Sequence, residues 1–64
     1  MKVRDIVKVL AKQGWYLDRQ AGSHRQFRHP HKPGTVTVPG KPGDELAPGT
    51  LSSISRQARL EKPE

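Results

Sequence analysis

The chain has 64 residues, of which 31% are hydrophobic, so we expect a single domain with a small core. It contains no cysteine, which excludes disulfides, thiolate metal sites and cysteine nucleophiles and is compatible with a reducing cytosol. Twelve Lys and Arg against six Asp and Glu give a formal net charge of +6, which favours a polyanionic partner, most commonly nucleic acid. An acidic protein partner stays open as an alternative, because charge alone does not separate the two.

The first predicted element is an amphipathic helix. Val3, Ile6, Val7 and Leu10 have the i, i+3, i+4, i+7 spacing of one apolar stripe. Gly14 is expected to end this helix, since glycine adopts the left-handed conformation without strain. We interpret the lysines of the helix as a solvated face. The charges that recur through this segment exclude the apolar run of a signal peptide or a membrane span, so we expect a cytoplasmic protein with no membrane contact.

Two strands follow, and their apolar residues predict the register. A three-residue loop over 21–23 pairs Leu17 with Phe27 and keeps both on one face with Trp15. A two-residue loop over 21–22 would instead place Leu17 and Phe27 on opposite faces. The longer loop is therefore predicted.

A third strand is predicted in the segment TVTV, where pairing Phe27 with Val36 keeps the valines on the apolar face. Residues Pro39 to Gly49 form a loop by composition, and a last helix begins near Pro48 or Thr50. The order helix, three-stranded antiparallel meander, helix predicts an α+β fold with both helices on the apolar face of the sheet. We expect one domain over 1–60 and a polar tail over 61–64.

The other face of the sheet stays open to solvent in this arrangement. By the predicted register it carries Tyr16, Asp18, Gln20, His24, Gln26, Arg28, Thr35 and Thr37. Asp18 is expected either to orient the His24 imidazole or to pair with Arg28, and the pairing is favoured. A face with a histidine, a tyrosine, a carboxylate and an arginine is a candidate functional surface.

The three histidines are separated by strand parity. His24 and His29 differ by an odd number of positions on one strand, so their side chains point to opposite faces, and His31 lies in the turn that follows. A shared zinc site would need a bend that the strand does not offer, and no third ligand follows at regular spacing. We therefore expect no metal and no other cofactor, and interpret His29 and His31 as packing and loop residues.

His24 follows a Gly22-Ser23 turn whose backbone N–H groups are suited to a phosphate, and arginines surround it in the sequence. An imidazole free in water has a pKa of about 6.5, so it takes and gives a proton near neutral pH. RNA cleavage needs a base for the 2′-hydroxyl, an acid for the leaving oxygen and cations around the phosphorane. From these residues alone, plain RNA binding is favoured over cleavage, and both stay open.

The runs GWYLDRQAGSHRQFRHP, GTVTVP and PGTLSSISRQA closely resemble the HicA family of toxins, small messenger-RNA interferases that are paired with a HicB antitoxin. The resemblance extends from the first helix to Leu60. It implies a fold similar to a double-stranded-RNA-binding domain, α-β-β-β-α, and an endoribonuclease that blocks translation. The chain departs from the family at Arg59, where a glycine would end the last helix, so that helix is expected to run on or fray. The loop GKPGDELA has no clear family pattern.

The resemblance maps the family's single catalytic histidine onto His24, as general base in a metal-independent transesterification. Arg28 is the first choice for stabilising the developing charge, and Arg19 or Lys32 comes next. The residues expected to contact RNA are Gly22, Ser23, Arg28, Arg19, Lys32, Tyr16 and Gln20. A HicB-type antitoxin is the expected inhibitor. No second acid is evident, so the leaving oxygen takes its proton from water or from His24, which predicts a slow enzyme.

Passive binding of duplex RNA is the alternative function. A binding-only double-stranded-RNA module typically clamps phosphates with lysines at the start of its last helix. Here that start reads PGTLSSIS, with no cation before Arg56. A purely structural or partner-binding module would leave the Gly-Ser-His turn unexplained.

Overall fold

The computed structural model describes residues 1–59, which form two helices and three strands. Their order is α1 (Val3–Lys12), β1 (Tyr16–Ala21), β2 (His24–Arg28), β3 (Val36–Val38) and α2 (Pro48–Ala58). The strands make one antiparallel sheet in the order β1-β2-β3, which confirms the predicted α+β fold. Leu60 and the expected tail over 61–64 lie outside the described residues. Within 1–59, no helix is long and apolar enough to cross a membrane.

Both helices bury their apolar side chains against one face of the sheet. The buried cluster takes members from each helix, from the two strands β2 and β3 and from the connecting segments, namely Val3, Ile6, Leu10, Trp15, Phe27, Val36, Val38, Leu46, Ile54 and Ala58. Val36 pairs with Phe27, as the apolar pattern predicted. Burial of the Phe27 ring, which is 4% exposed, contributes about 1.5–3 kcal/mol to folding.

The turn between β1 and β2 is shorter than predicted. Leu17 pairs with Phe27 as expected, but Ala21 pairs with His24, so the loop consists of residues 22–23 alone. The predicted three-residue loop is therefore wrong. The apolar pairing survives because the register shifts inside β1, between the turn and Leu17.

A β-bulge at Asp18 produces that shift. Leu17 pairs with Phe27, and the next paired residue of β1 is Arg19, so Asp18 is the extra residue. A bulge places two residues opposite one and turns the following side chains to the other face. Only the part of β1 after the bulge therefore departs from the predicted faces.

β1 lies at the edge of the sheet, outside the cover of the helices. All six of its residues are exposed, and Leu17 is 48% exposed although its register places it on the Phe27 face. Helix α2 packs along β3, at the opposite edge of the sheet. Leu17 therefore stays exposed although it lies on the same face as the buried Phe27, because the helices do not cover this edge of the sheet.

The proline- and glycine-rich loop before α2 holds the beginning of α1. The Val3 N–H donates to the Asp44 carbonyl at 2.9 Å, and the Arg4 N–H donates to the Pro42 carbonyl at 3.0 Å. The Asp5 carboxylate accepts the Lys2 N–H at 2.9 Å, and Leu46 inserts into the core. These contacts satisfy N–H groups that the first turn of a helix leaves without partners, and they give the loop a structural role that its composition did not reveal.

The two helix ends differ in how well the sequence predicted them. Gly14 has a φ of +95° just after α1, as expected of the residue that ends a helix. Helix α2 ends at Ala58, because Arg59 itself takes the left-handed conformation with a φ of +53°. The expectation that the missing glycine would let this helix run on is wrong: the arginine adopts the conformation at a steric cost.

Gly14→Ala is expected to lower the free energy of unfolding by about 2 kcal/mol or more. Alanine is strained at this φ, and its Cβ would lie 2.7 Å from His29 Nε2. Gly49→Ala is the matched control, because no atom lies within 4 Å of the added Cβ in the first turn of α2; it should stabilise by about 0.4–1 kcal/mol. Urea denaturation measures both, and a Gly14→Ala chain as stable as the original would contradict this account of the helix end.

Candidate active site

The face of the sheet opposite the helices, called the open face below, presents three rows of paired residues. The rows are Ala21 with His24 beside the turn, Arg19 with Gln26 and Thr37 in the middle, and Tyr16 with Arg28 at the far end. The side chains of His24, Arg19, Arg28 and Tyr16 are exposed. The open face therefore combines one imidazole, two guanidinium groups and one phenol within reach of a ligand from solvent.

The hairpin turn places His24 directly beside free backbone donors. Gly22 has a φ of +59°, whereas Ser23 has no positive φ, which is the pattern of a type II′ turn with glycine first. The Gln20 amide donates to the Gly22 carbonyl at 3.0 Å and steadies the turn. Within residues 1–59, the N–H groups of Gly22 and Ser23 have no acceptor. Successive unpaired N–H groups of this kind suit an anion.

The bulge exchanges the sheet faces of two predicted site residues, Arg19 and Gln20. Gln20 pairs with Arg25, so it lies on the face opposite His24, and its predicted place on the open face is wrong. Arg19 takes that place. It is diagonal to His24 across the hairpin, at a Cα separation of about 7–8 Å. Arg28 lies four residues along the strand from His24, about 13 Å away, so Arg19 is the nearer cation of the two.

The remaining charged candidates are spread over the molecule. Within residues 1–59 the Asp18 carboxylate has no hydrogen bond or ion pair, so its predicted pairing with Arg28 is wrong and it does not orient His24. Arg25 donates to the Gly40 carbonyl at 3.1 Å, which ties β2 to the loop before α2. Lys32 is half-buried in the connection between β2 and β3.

His29 is a structural residue, as expected. Its Nε2 lies 2.9 Å from the Gln13 carbonyl, and its Nδ1 accepts the His31 N–H at 2.9 Å. Because Nδ1 is an acceptor, the ring carries its proton on Nε2 and donates it to Gln13. The ring also meets the Trp15 indole edge-on, with centroids 5.2 Å apart. His29 thus connects the end of α1, the core and the loop after β2.

The three histidines do not converge. His24 belongs to the open face, whereas His29 follows the last residue of β2 and contacts the buried Trp15. His31 is exposed in the loop. In the part of the chain that the structure describes, no three His, Asp or Glu side chains are grouped to hold a metal ion. The chemistry available at His24 is therefore that of an imidazole among cations and backbone donors.

Comparison with models of known protein families gives a match. The family model described as HicA toxin of bacterial toxin-antitoxin matches residues 3–60. This range includes both helices, the whole sheet and the turn before His24. The comparison with curated proteins gave no match.

His29→Ala is expected to lower the free energy of unfolding by about 2 kcal/mol, because it removes two hydrogen bonds and an aromatic contact. His24→Ala, at the other end of β2, is its control and should stay within about 0.5 kcal/mol of the original chain, since the side chain is exposed and makes no hydrogen bond in residues 1–59. Chemical denaturation compares the two. Equal destabilisation by both substitutions would mean that His24 is a structural residue as well.

Proposed function

We propose that this chain, which belongs to the HicA toxin family and is thus the toxin of a toxin–antitoxin system, cleaves messenger RNA on its open face. The observation that carries the proposal is the position of His24, exposed at the first residue of β2. It follows the free N–H groups of the turn directly and is diagonal to Arg19 across the hairpin. An imidazole, anion-binding donors and a cation thus lie together where an RNA backbone has access.

The reaction that suits these groups is transesterification by the RNA's own 2′-hydroxyl. His24 takes the 2′-hydroxyl proton while the oxygen attacks the neighbouring phosphorus. The bond from phosphorus to the 5′-oxygen then breaks, and that oxygen takes a proton from the imidazolium or from water. The products are a 2′,3′-cyclic phosphate and a 5′-hydroxyl. Every atom that changes bonding belongs to RNA, His24 or water.

The charge that develops on the phosphorane needs stabilisation, and two groups are placed for it. The N–H groups of Gly22 and Ser23 lie next to His24 in a two-residue turn. Arg19 extends from the neighbouring strand and supplies a guanidinium that forks onto two phosphate oxygens. Arg28 and Tyr16, at the far end of the open face, are positioned to hold the adjoining nucleotides, the tyrosine by stacking on a base.

The supply of acid sets the expected rate. Among the residues 1–59, those paired on the open face supply Arg19 in the middle row, and Arg28 and Tyr16 at the far end, as ionisable groups besides His24. Arginine stays charged and gives up no proton. One imidazole therefore serves first as base and then as acid, which makes a slow enzyme.

A partner that controls this activity follows from the same face. We propose a HicB-type antitoxin that lays carboxylates over His24 and the arginines of the open face, in place of RNA phosphates. In the opposite case, passive duplex binding, the first turn of α2 would hold cations. That turn, from Pro48 to Leu51, has none.

Cleavage of single-stranded RNA in EDTA is expected from the original chain, with 2′,3′-cyclic phosphate and 5′-hydroxyl ends. His24→Ala should abolish it while RNA affinity is retained. Arg19→Gln should lower kcat by about 10²-fold, as for other groups that stabilise transition-state charge, whereas Arg56→Gln on α2 is the matched control and should leave kcat unchanged. The assay measures end groups and rates on gels.

Three outcomes would count against this mechanism. Activity that disappears in EDTA and returns with zinc, magnesium or manganese would contradict a metal-independent reaction. Undiminished cleavage by His24→Ala would remove the proposed base. Tight, salt-dependent binding of duplex RNA, without cleavage of duplex or single-stranded RNA, would establish passive binding instead.

The proposed antitoxin is expected to be encoded beside this gene. Co-expression of the chain with that neighbouring open reading frame tests whether the two proteins bind. We expect the two proteins to co-purify, with an association rate that falls steeply as salt is added, because the contact is between opposite charges. Binding should also raise the melting temperature of this chain by mass action. A complex that still cuts RNA at the full rate would show that the partner leaves the open face uncovered.

A further inference from the structure

The solvent-facing side of α1 carries positive charge alone. Four positions of this helix are exposed, and they hold Arg4, Lys8, Ala11 and Lys12. The three basic residues are spaced four apart, so they form one row on the helix surface, with about 6 Å of rise from each to the next. We call Arg4, Lys8 and Lys12 the basic row.

This row is electrostatically unfavourable for the helix itself. Arg4 with Lys8, and Lys8 with Lys12, are like charges at i, i+4, which repel. Arg4 also lies in the first turn, where the helix dipole disfavours a cation, whereas Lys12 lies in the last turn, where the dipole favours one. A face that serves solubility alone normally mixes both signs and gains from opposite pairs. The basic row therefore lowers helix stability, and its arrangement is explained by a ligand rather than by folding.

No carboxylate in residues 1–59 neutralises the row. The acid of α1, Asp5, accepts the Lys2 N–H at the start of the helix. The one ion pair in this part of the chain joins the Met1 amino group to Glu45. The exposed positions of α2 show that helices of this fold need no such charge, since Ser52, Ser53 and Gln57 occupy them together with one cation, Arg56, and two first-turn residues.

We propose that the basic row is a second binding surface for single-stranded RNA, separate from the open face. Its side chains point away from the sheet, because the buried residues of α1 face it. The row therefore lies on the opposite side of the molecule from His24. Charge complementarity identifies a polyanion, and the inference that it is RNA rests on the proposed function. A strand held there continues around the molecule, whose shortest dimension is 18 Å, to reach the open face.

The kinetic consequence is specific. Phosphate contacts remote from the reacting bond hold substrate and transition state equally well, so they lower KM and leave kcat unchanged. They also act only on RNA long enough to extend from one face to the other. A dinucleotide that occupies the open face alone gains nothing from the row.

The test uses Arg4→Gln/Lys8→Gln, which preserves helix propensity, and its control Lys41→Gln/Arg56→Gln, which removes the same two charges from other exposed positions. In a His24→Ala background, binding of a fluorescein-labelled 20-nucleotide single strand should weaken about tenfold in the row variant and less than twofold in the control. The slope of log affinity against log salt should fall by about 1.4 for two lost phosphate contacts on a single strand.

Two further readouts separate binding from folding. The row variant should melt about 1–3 °C higher than its parent, because it removes both repulsive pairs. Its stability and its RNA affinity thus change in opposite directions, which a merely structural role would not produce. With His24 restored, KM for the 20-mer should rise about tenfold at constant kcat, whereas cleavage of a dinucleotide should be unchanged.

Equal losses of affinity in the row variant and the control would show that net charge alone governs binding and would overturn the proposal. Unchanged RNA affinity with weaker capture of the antitoxin would overturn it too, and would assign the row to the protein partner. Failure of the proposed function is distinguishable: a chain that cuts no RNA but loses affinity specifically in the row variant keeps the second surface without the nuclease.

Discussion

The core of this protein covers one face of its sheet and leaves the other bare, and the placing of every functional group depends on that constraint. The apolar side chains of both helices meet Phe27, Val36 and Val38 on a single side. A chain of this length has too little apolar material to build a second layer. The uncovered side of the sheet and the outer side of α1 are consequently the two surfaces on which charged residues collect.

Three of the four acids in residues 1–59, Asp5, Asp44 and Glu45, lie where α1 meets the loop before α2, whereas Asp18 lies in β1. Asp44 accepts the Lys41 N–H, and Asp5 accepts the Lys2 N–H, both at the end of the molecule where α1 begins. Negative groups are favourable there because of the helix dipole. The cations of α1 and of the hairpin have no carboxylate partner in residues 1–59, where the one ion pair joins the Met1 amino group to Glu45. Apart from Asp18, the acids of residues 1–59 thus lie away from the basic row and the open face.

The architecture was predictable because it depends on periodicity, which neighbouring residues reveal. The stripe of Ile6 and Leu10 and the pairing of Phe27 with Val36 follow from apolar spacing alone. The bulge at Asp18 does not, since a two-residue turn and the Leu17–Phe27 pairing are compatible only when one residue is left over within the strand. That single residue decided that Arg19, and not Gln20, shares a face with His24.

Other features escaped prediction because their partners are distant in the sequence. The contacts of the loop with α1 join residues about forty positions apart, and the loop has the composition of a linker. The packing role of His29 was expected from strand parity. Its hydrogen bond to Gln13 was not, because it joins the residue range before β1 to the one after β2. The left-handed Arg59 shows the reverse case, in which the backbone keeps a conformation that the residue type opposes.

The exposure of His24 determines how such a site must gain its substrate. Catalytic groups work best in a dry cavity that strengthens each electrostatic interaction and holds the reacting atoms in place. A histidine on an uncovered strand has no such cavity, so under the proposed function the RNA itself must exclude water and must be held at more than one point along its backbone. In the proposed mechanism the turn N–H groups and Arg19 act on the reacting phosphate, and contacts farther along the strand are needed to keep it there. An open site of this kind is also easily blocked, because a partner need not enter a cleft but only lie on the sheet. The same bare face that makes the proposed reaction slow therefore makes the proposed control by an antitoxin simple.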